Sequence, residues 1–405
     1  MKTIVLISSG QPSVNPRLVK EADALSAAGY KVYVIYSFWT HWALEADKEL
    51  FVSTQWHPVL AGGSPFQDSR RYFFTRLRFK AANLAAKRIS FKWGIAHIAK
   101  GRASVEMLKK AKSIKADLYI AHNLAALPVA VKAAKYHGAK CGFDAEDFHR
   151  QEVSDDSNSP NYKLSKFIED KYLSKCNYIT AASPLIAKAY EKLYPQTTPI
   201  VINNVFEAKY LQPVQANDGG KMKLFWFSQT VGQGRGLEDV IKALHVLNNP
   251  EIELHLLGNC NNEANNYLTG LVNNKNIKFY FYPPIPPEKI FQFANQFDIG
   301  LALETKTPLN RDICLTNKIF TYLTAGLAVI VSDTSAQKAF MEENIGLGSI
   351  YPVGGVEALA SKIDTFYRNP DRLDACKTNA HILAGSKHNW ENECLTFVNK
   401  IKSLV

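Results

Sequence analysis

The segment from Asp298 to Asp333 constrains the fold of this chain most strongly. Its sequence, DIGLALETKTPLNRDICLTNKIFTYLTAGLAVIVSD, holds two short apolar runs separated by a polar loop and an amphipathic stretch. Short apolar runs bounded by turn residues are typical of parallel strands covered on both faces. We predict strands over residues 298–303 and 328–332 and a helix from about Asn317 to Ala325, which indicates an α/β protein with a parallel sheet.

Asn317 and Lys318 fall where this helix begins, beyond the carboxyl end of a strand. Open α/β sheets bind ligands at that edge, and a helix N-terminus presents unpaired N–H groups to an anion. A lysine in the first turn opposes the helix dipole, which favours acids there. A phosphate bound near the start of the helix would explain a lysine at position 318. The plain alternative is that Asn317 caps the helix and Lys318 is solvated surface.

Length and composition limit the class of protein. A chain of 405 residues predicts two domains. No apolar stretch approaches the roughly 18–20 residues of a membrane-spanning helix. The opening MKTIVLISSGQPS has an apolar run too short for a signal peptide, so we predict a first strand and a cytoplasmic protein. The six cysteines form no CxxC or CxxH pair, which argues against a zinc site or a disulfide framework.

The net charge of +11 is concentrated in one region. Between Arg70 and Lys115 there are fourteen lysines and arginines and one acid, Glu106, and aromatic residues are interleaved among them. This pattern suits an anionic membrane surface at the inner face of the plasma membrane. The alternative is a solvated helix pair whose aromatic residues face the core. Nucleic acid is not expected, because no recognised nucleic-acid motif accompanies the charge.

Strands and helices alternate twice along the chain, which predicts two doubly wound domains with parallel sheets. The first is predicted over residues 1–205, with strands at 3–8, 31–36, 118–121, 140–143, 178–181 and 199–202. A Pro- and Gly-containing linker is predicted over 206–221 and the second domain over 222–385. A last helix within 386–405 is expected to pack back near the first domain. Two such Rossmann-like domains would face each other across a ligand-binding cleft.

A glycine-rich loop opens the second domain in the sequence FWFSQTVGQGRGLEDVIKAL. Gly234 and Gly236 would let the backbone approach a ligand, and Arg235 could grip a diphosphate through two parallel N–H bonds. The GxGxxG fingerprint of dinucleotide-binding proteins is absent. Loops after two strands of one sheet would bring Arg235 and Lys318 to the same edge, although such a loop can also be a plain turn.

The order of strand, GQGRGL loop and helix, followed by TNKIFTYLTAGLAVIVSD, resembles the GT-B glycosyltransferases, in particular family four. The N-terminal SSGQPSVNPRLVKEADALSAAGYKV is similar to their first βαβ unit. The resemblance implies a retaining transferase that uses a UDP- or GDP-sugar and needs neither a metal nor another cofactor. It places Arg235, Lys318 and Asn317 at the donor diphosphate. Two glutamates common in the family are replaced by Ile313 and Thr321, so we consider Asp312, Thr316 and Thr321 as donor contacts.

The first domain carries polar residues after several strands. His122 follows the strand in DLYIAHNLAALPVA and resembles the family histidine that faces the donor sugar. We predict acceptor contacts from Ser9, Gly10 and Gln11 and from an acidic loop. That loop, CGFDAEDFHRQE, contributes Asp144, Glu146 and His149, which suit a hydroxyl that must lose a proton. The alternative is a solvated loop in which Asp147 caps a helix.

Together these features predict a glycosyltransferase for a saccharide or lipid-linked acceptor in bacterial capsule, lipopolysaccharide or exopolysaccharide assembly. His122, Arg235 and Lys318 are the predicted catalytic residues. Two alternatives stay open. One is another enzyme on the same scaffold, such as a sugar-nucleotide epimerase or a phosphorylase. The other is a non-catalytic sugar-nucleotide-binding partner protein, because the paired glutamates are missing.

Overall fold

A computed structural model describes residues 1–216, 219–272 and 276–405. Asn217 and Asp218 of the predicted linker, and Asn273 at the end of a helix that the sequence predicts from Glu263, lie outside these ranges. The chain forms two compact units. Unit 1 comprises Met1–Ile202, Pro308–Asn310 and Cys394–Val405, and unit 2 comprises Asn203–Thr307 and Arg311–Glu393. No helix in the described ranges is long and apolar enough to cross a bilayer.

Unit 1 contains a seven-stranded sheet in the order β3-β2-β1-β4-β5-β6-β7, with every pairing parallel. The strands are β1 (Thr3–Ser8), β2 (Lys31–Ser37), β3 (His57–Ala61), β4 (Leu118–His122), β5 (Lys140–Ala145), β6 (Tyr178–Ala181) and β7 (Ile200–Val201). The helices are α1 (Pro16–Ala27), α2 (Ala43–Ser53), α3 (Ser69–Arg88), α4 (Ile95–Lys100), α5 (Ser104–Ser113), α6 (Leu127–His137), α7 (Pro160–Tyr172) and α8 (Pro184–Leu193). Helix α2 and strand β3 were not predicted from the sequence.

The strand order of unit 1 reverses between β1 and β4, whose Ser8 and His122 are paired in register. Both strands end at this point, so Ser9 and Asn123 emerge side by side. The Ser9 hydroxyl donates to Oδ1 of Asn123 at 2.9 Å. Asn123 has a positive φ of 66°, a conformation that asparagine tolerates better than most residues. A reversal of this kind is where doubly wound sheets bind ligands.

Unit 2 contains a six-stranded parallel sheet in the order β10-β9-β8-β11-β12-β13. The strands are β8 (Met222–Thr230), β9 (Ile252–Asn259), β10 (Lys278–Tyr282), β11 (Ile299–Ala302), β12 (Ala328–Ser332) and β13 (Gly348–Tyr351). The helices that follow β8 in the chain are α9 (Leu237–Leu247), α10 (Asn262–Gly270), α11 (Ile290–Ala294), α12 (Leu309–Ile313), α13 (Asn317–Thr324), α14 (Ser335–Glu343), α15 (Val356–Arg368), α16 (Pro370–Ser386) and α17 (Trp390–Lys402). The predicted α/β class with parallel sheets is confirmed, and this sheet reverses between β8 and β11.

Helix α13 is seated on the sheet by a close contact between Gly300 and Tyr322. A Cβ atom on Gly300 would lie 2.1 Å from Cγ of the Tyr322 ring. The ring is fully buried, and its hydroxyl donates to the carbonyl oxygen of Leu301 at 3.0 Å. Lys318 lies one helical turn before Tyr322 and therefore on the same side of α13. The glycine thus fixes how closely the helix that carries Lys318 approaches the sheet.

We expect Gly300→Ala to lower the free energy of unfolding by about 1–3 kcal/mol, because the added methyl group overpacks a buried contact. Chemical denaturation followed by circular dichroism measures this loss. Gly270→Ala is the matched control, since a Cβ atom there meets no other atom within 4 Å. Equal stability of the two variants would show that Tyr322 does not hold α13 in place.

Candidate functional site

The carboxyl ends of β8 and β11 border a small pocket of about 120 Å³ in unit 2. It lies where the strand order reverses, as expected for a ligand site in a doubly wound sheet. Its volume matches roughly four water molecules, which suits a phosphate group better than a whole nucleotide. The lining residues are Trp226, Gly234, Arg235, Leu303, Glu304, Thr305, Arg311 and Lys318. The structure therefore brings together the two cations that the sequence predicted to share one edge.

Arg235 reaches the pocket from the glycine-rich loop after β8. Its Nη1 donates to Oγ of Ser228 at 3.1 Å, and no carboxylate pairs with it in the described part of the chain. Gly236, with φ of 78°, adopts a conformation that favours glycine, and a Cβ atom there would lie 2.7 Å from Cβ of Leu303. The loop geometry therefore requires this glycine and leaves the guanidinium available to an anion.

Lys318 enters the same pocket from the first turn of α13. Its Nζ lies 2.6 Å from Oε1 of Glu304 and 5.8 Å from the centre of the Trp226 ring. The lysine side chain is only 15% exposed and the glutamate 13%, so Lys318 is not the solvated surface residue of the plain alternative. Sequence reasoning did not single out Glu304, although it follows a predicted strand. Its pairing with Lys318 in α13 depends on the path of the chain between them, which includes the short helix α12.

The pocket has an excess of positive charge, and one of its lining residues has an unpaired N–H group. Arg235, Arg311 and Lys318 face one carboxylate, Glu304. The buried indole Nε1 of Trp226 has no hydrogen-bond partner within the described ranges. Buried polar groups are normally paired, so such a group is often explained by a ligand or by water. An excess of cations with an unpaired donor favours an anionic ligand with several oxygen atoms.

The other predicted donor contacts lie around the start of α13. The alternative in which Asn317 caps this helix is wrong, because Thr316 holds the cap position and Asn317 is the first helical residue. The buried Oγ1 of Thr316 has no partner among the described residues. The hydroxyl of buried Thr321 donates to the Asn317 carbonyl at 2.9 Å, and Asp312 accepts from the backbone N–H and the hydroxyl of Ser335. Sugar contacts by Asp312, Thr316 and Thr321 stay predictions.

In unit 1, His122 lies inside a buried ionic network that the sequence did not predict. Its Nε2 is 3.2 Å from Oε2 of Glu21, and its Nδ1 is 3.3 Å from Oδ2 of Asp144. Arg17 donates from Nε and Nη2 to the two oxygens of Asp144, at 2.6 and 2.7 Å. The side chains of His122, Glu21 and Asp144 are 0% exposed. Asp144, which we expected in an open acidic loop, is instead part of the core, and Asp147 begins no helix.

The network shifts the pKa of each member. Burial alone would lower the pKa of a histidine, but the surrounding carboxylates, Glu21 first, raise the pKa of His122 well above its ordinary value. Burial and the Asp144 charge raise the pKa of Glu21. Burial would also raise the pKa of Asp144, but Arg17 and His122 hold it below its usual range. These surroundings favour the protonated form of His122, and its predicted contact with a donor sugar stays a prediction.

The other residues predicted to contact the acceptor differ in how exposed their side chains are. Ser9 and Gly10 are half-buried, and the Glu146 side chain is 26% exposed and accepts from Nδ2 of Asn15 at 2.6 Å. Gln11 is buried; its amide bonds Asp47 and the backbone N–H groups of residues 39 and 40. His149 is also buried, with Nδ1 2.9 Å from Oε2 of Glu152. Gln11 and His149 thus have structural partners that the sequence did not reveal, and their contacts with an acceptor stay predictions.

The basic region between Arg70 and Lys115 forms helices α3, α4 and α5, and α3 exposes an apolar ridge. Phe73, Phe74, Leu77 and Leu84 are 53–68% exposed, and their spacing places them on one face of α3. Buried Thr75 and Ala82 mark the opposite face. The exposed cations Arg70, Arg76, Lys80, Lys87 and Arg88 flank the ridge. The alternative in which these aromatic residues face the core is wrong for Phe73, Phe74 and Trp93, although Phe79 and Phe91 are half-buried.

A known protein family matches part of the second half of the chain. Residues 235–399 match the model of a family described as glycosyl transferase-like. This match includes Arg235 and Lys318, and it agrees with the resemblance to glycosyltransferases that the sequence indicated. No curated protein matches the sequence significantly.

Solved structures extend the likeness to the whole chain. Sucrose-phosphate synthase from Thermosynechococcus elongatus superimposes with a TM-score of 0.74 at 13% identity, covering 100% of this chain and 99% of that one. HepE from Anabaena, in complex with UDP and glucose, gives 0.70 at 14% identity, with 100% of both chains covered. The lipopolysaccharide outer core galactosyltransferase WaaB, in its apo form, gives 0.60 at 12% identity, again with 100% of both chains covered. The predicted GT-B fold is confirmed.

Proposed function

We propose that this chain transfers a sugar from a nucleoside-diphosphate sugar to a saccharide or lipid-linked acceptor. The observation that carries the proposal is the convergence of Arg235, Arg311 and Lys318 on one pocket where the sheet of unit 2 reverses. A diphosphate is the donor group that such a set of cations would hold. Because the similar HepE structure contains UDP and glucose, UDP is the first nucleotide to test and GDP the second.

The pocket residues would act on the charge that develops as the sugar leaves. Breaking the bond between the sugar and the β-phosphate places negative charge on the departing diphosphate. Arg235 and Lys318, held in place by Ser228 and Glu304, would stabilise that charge without moving far. The N-terminus of α13, one residue before Lys318, adds a positive partial charge nearby. Retention of the anomeric configuration follows from the resemblance to family four and is part of the proposal.

Unit 1 would bind the acceptor. Ser9, Gly10 and Glu146 are the predicted acceptor residues that stay partly open, and they lie near the reversal between β1 and β4. The buried network of Arg17, His122 and Asp144 would hold these loops in position. A role in capsule, lipopolysaccharide or exopolysaccharide assembly fits an acceptor rich in hydroxyl groups, and the likeness to WaaB is consistent with it.

A thermal-shift screen against UDP, GDP and their sugar conjugates tests the donor. A ligand that binds only the native state raises the melting temperature, by an amount equivalent to about 2.7 kcal/mol at a hundredfold excess over Kd. Hits are then incubated with saccharide acceptors and the products analysed by mass spectrometry. Binding without turnover would favour the non-catalytic partner protein, and conversion of the donor alone into an isomer would favour an epimerase.

We also propose that the ridge of α3 holds the protein at an anionic membrane, where lipid-linked acceptors are found. Aromatic and aliphatic side chains flanked by cations are typical of helices that lie in the membrane interface. Co-sedimentation with vesicles containing phosphatidylglycerol should therefore occur at low salt and weaken as the ionic strength rises. The variant Phe73→Ser/Leu77→Ser should bind these vesicles less. Equal sedimentation with neutral phosphatidylcholine vesicles would contradict the electrostatic part of this proposal.

A further inference from the structure

A basic notch lies between the C-terminal end of α3 and the N-terminal end of α7. It has a volume of about 450 Å³, and four exposed cations line it: Lys87, Arg88, Lys92 and Lys163. No acidic side chain is among its lining residues within the described ranges. Like charges gathered in one concavity repel one another unless an anion shares it. This notch is separate from the pocket of Arg235 and Lys318, which belongs to unit 2.

Stabilisation of α3 does not explain the whole set of cations. Lys87 and Arg88 stand in the last turn of α3, where cations favour the helix dipole. Lys92 comes after the helix has ended, and Lys163 belongs to the first turn of α7, where a cation opposes the dipole. No ion pair involves any of the four in the described part of the chain. What the four cations have in common is that they all line the notch.

Part of the wall of the notch is apolar. The rings of Phe91 and Phe167 lie 5.5 Å apart, both are half-buried, and Pro160 adds to the same wall. Ile89, at the mouth, is 75% exposed. Leu84 (53% exposed) and Trp93 (85% exposed) flank it in the chain and continue the apolar ridge of α3. A site for a soluble phosphate has no use for so much exposed apolar surface, whereas a lipid offers both a charged headgroup and chains.

We propose that this notch binds the phosphate headgroup of an anionic phospholipid. The lysine and arginine side chains would hold the phosphate oxygens, and Ile89, Phe91 and Phe167 would contact the first carbons of the acyl chains. The notch would give the membrane contact a defined anchoring point instead of a diffuse attraction. This inference rests on the proposed membrane association and names the lipid group that it recognises.

Two triple variants of equal charge test the notch. The notch variant is Lys87→Gln/Lys92→Gln/Lys163→Gln, and the control is Arg70→Gln/Arg76→Gln/Lys80→Gln on exposed positions of α3 outside the notch. Each lowers the net charge by the same amount, so a diffuse attraction predicts equal losses. We expect the notch variant to lose about tenfold more affinity than the control for vesicles of phosphatidylcholine with phosphatidylglycerol, because it loses direct bonds to the headgroup. Both variants should keep the melting temperature of the wild type.

The outcomes separate the notch from the wider proposal. Equal losses in the two variants would overturn the notch and leave a diffuse membrane contact standing. Wild-type protein that ignores phosphatidylglycerol would overturn the membrane association itself. Inorganic phosphate is also added at a concentration equal to that of the lipid phosphorus. If it releases the protein from the vesicles, the notch is a site for free phosphate, which also overturns the lipid assignment. Sugar transfer to a water-soluble acceptor is measured in parallel, and the notch variant should transfer sugar at the rate of the wild type. If neither the wild type nor either variant transfers sugar, the result counts against the proposed donor site and not against the notch.

Discussion

Replacing Arg235 or Lys318 by alanine should lower kcat of sugar transfer by about 10²- to 10³-fold. Each side chain lines the pocket in which the departing diphosphate would gain charge, and each offers N–H donors that need not move to reach it. The effect is expected on kcat more than on KM, because the stabilised charge appears in the transition state. Initial rates over a range of donor concentrations measure both constants.

The controls for this prediction use two residues of the loop after β11. Lys306→Ala removes a cation that pairs with Asp333 and does not line the pocket, so its kcat should stay close to that of the wild type. Lys318→Ala leaves Glu304 without its partner, and the double variant Lys318→Ala/Glu304→Gln removes that complication. If the double variant recovers activity, the loss came from an unpaired carboxylate. If it stays inactive, the lysine itself is needed. Near-normal turnover in both single variants would refute the diphosphate assignment.

Replacing Arg17 by methionine should lower the free energy of unfolding by about 3–5 kcal/mol, since it leaves buried carboxylates without their main cation. Arg17 is 2% exposed, donates twice to Asp144 and once to the carbonyl oxygen of Ile202. Methionine fills a similar volume, so the loss reflects charge and hydrogen bonds more than a cavity. For units of this size the melting temperature should fall by roughly 6–20 °C.

The destabilisation should depend on pH with a defined sign. The pKa of Asp144 is held below its ordinary range in the folded protein, so its ionised form stabilises the fold above that range. This contribution is lost as the pH falls through the folded pKa. Without Arg17 the pKa of Asp144 should rise, because burial is no longer offset. The difference in free energy of unfolding between wild type and variant should therefore be largest near neutral pH and should narrow as the pH falls, most of all below about pH 4, where the wild type loses the Asp144 contribution.

Two further variants check this account of unit 1. Arg76→Met alters an exposed arginine and should change the stability by less than about 0.5 kcal/mol. The double variant Arg17→Met/Asp144→Asn removes the uncompensated charge and should recover part of the loss. Stability of Arg17→Met equal to that of Arg76→Met would show that the buried network contributes nothing to the fold.

The parallel sheets and the shared location of Arg235 and Lys318 could be predicted from sequence. Both follow from local pattern, since short apolar runs predict buried strands and the loops after parallel strands meet at one edge. Strand β3 was not predicted because it is a short edge strand whose second residue is Pro58 and only one of whose five residues is buried. Helix α2 lacked a recognisable cap, since Trp42 precedes it and makes no side-chain capping bond.

The side-chain partners could not be predicted, because they join residues far apart in the chain. Asp144 and Gln11 looked available for a substrate by composition. The structure pairs Asp144 with Arg17, 127 positions away, and Gln11 with Asp47, 36 positions away. Glu304 shows the reverse case. The sequence offered no reason to place this loop residue in the site, but the path of the loop after β11 brings it to Lys318. The position of a polar residue after a strand therefore predicts that the residue lies at one edge of the sheet. Whether that residue binds a ligand or stabilises the fold depends on its side-chain partner, which the local sequence does not show.

A crystal structure of the protein with bound UDP, or with GDP if UDP does not bind, tests the central claim most directly. We expect diphosphate oxygens within about 3.2 Å of both the guanidinium of Arg235 and Nζ of Lys318, in the pocket that Trp226 and Glu304 line. A nucleotide bound elsewhere, with both cations still facing only Ser228 and Glu304, would contradict the account.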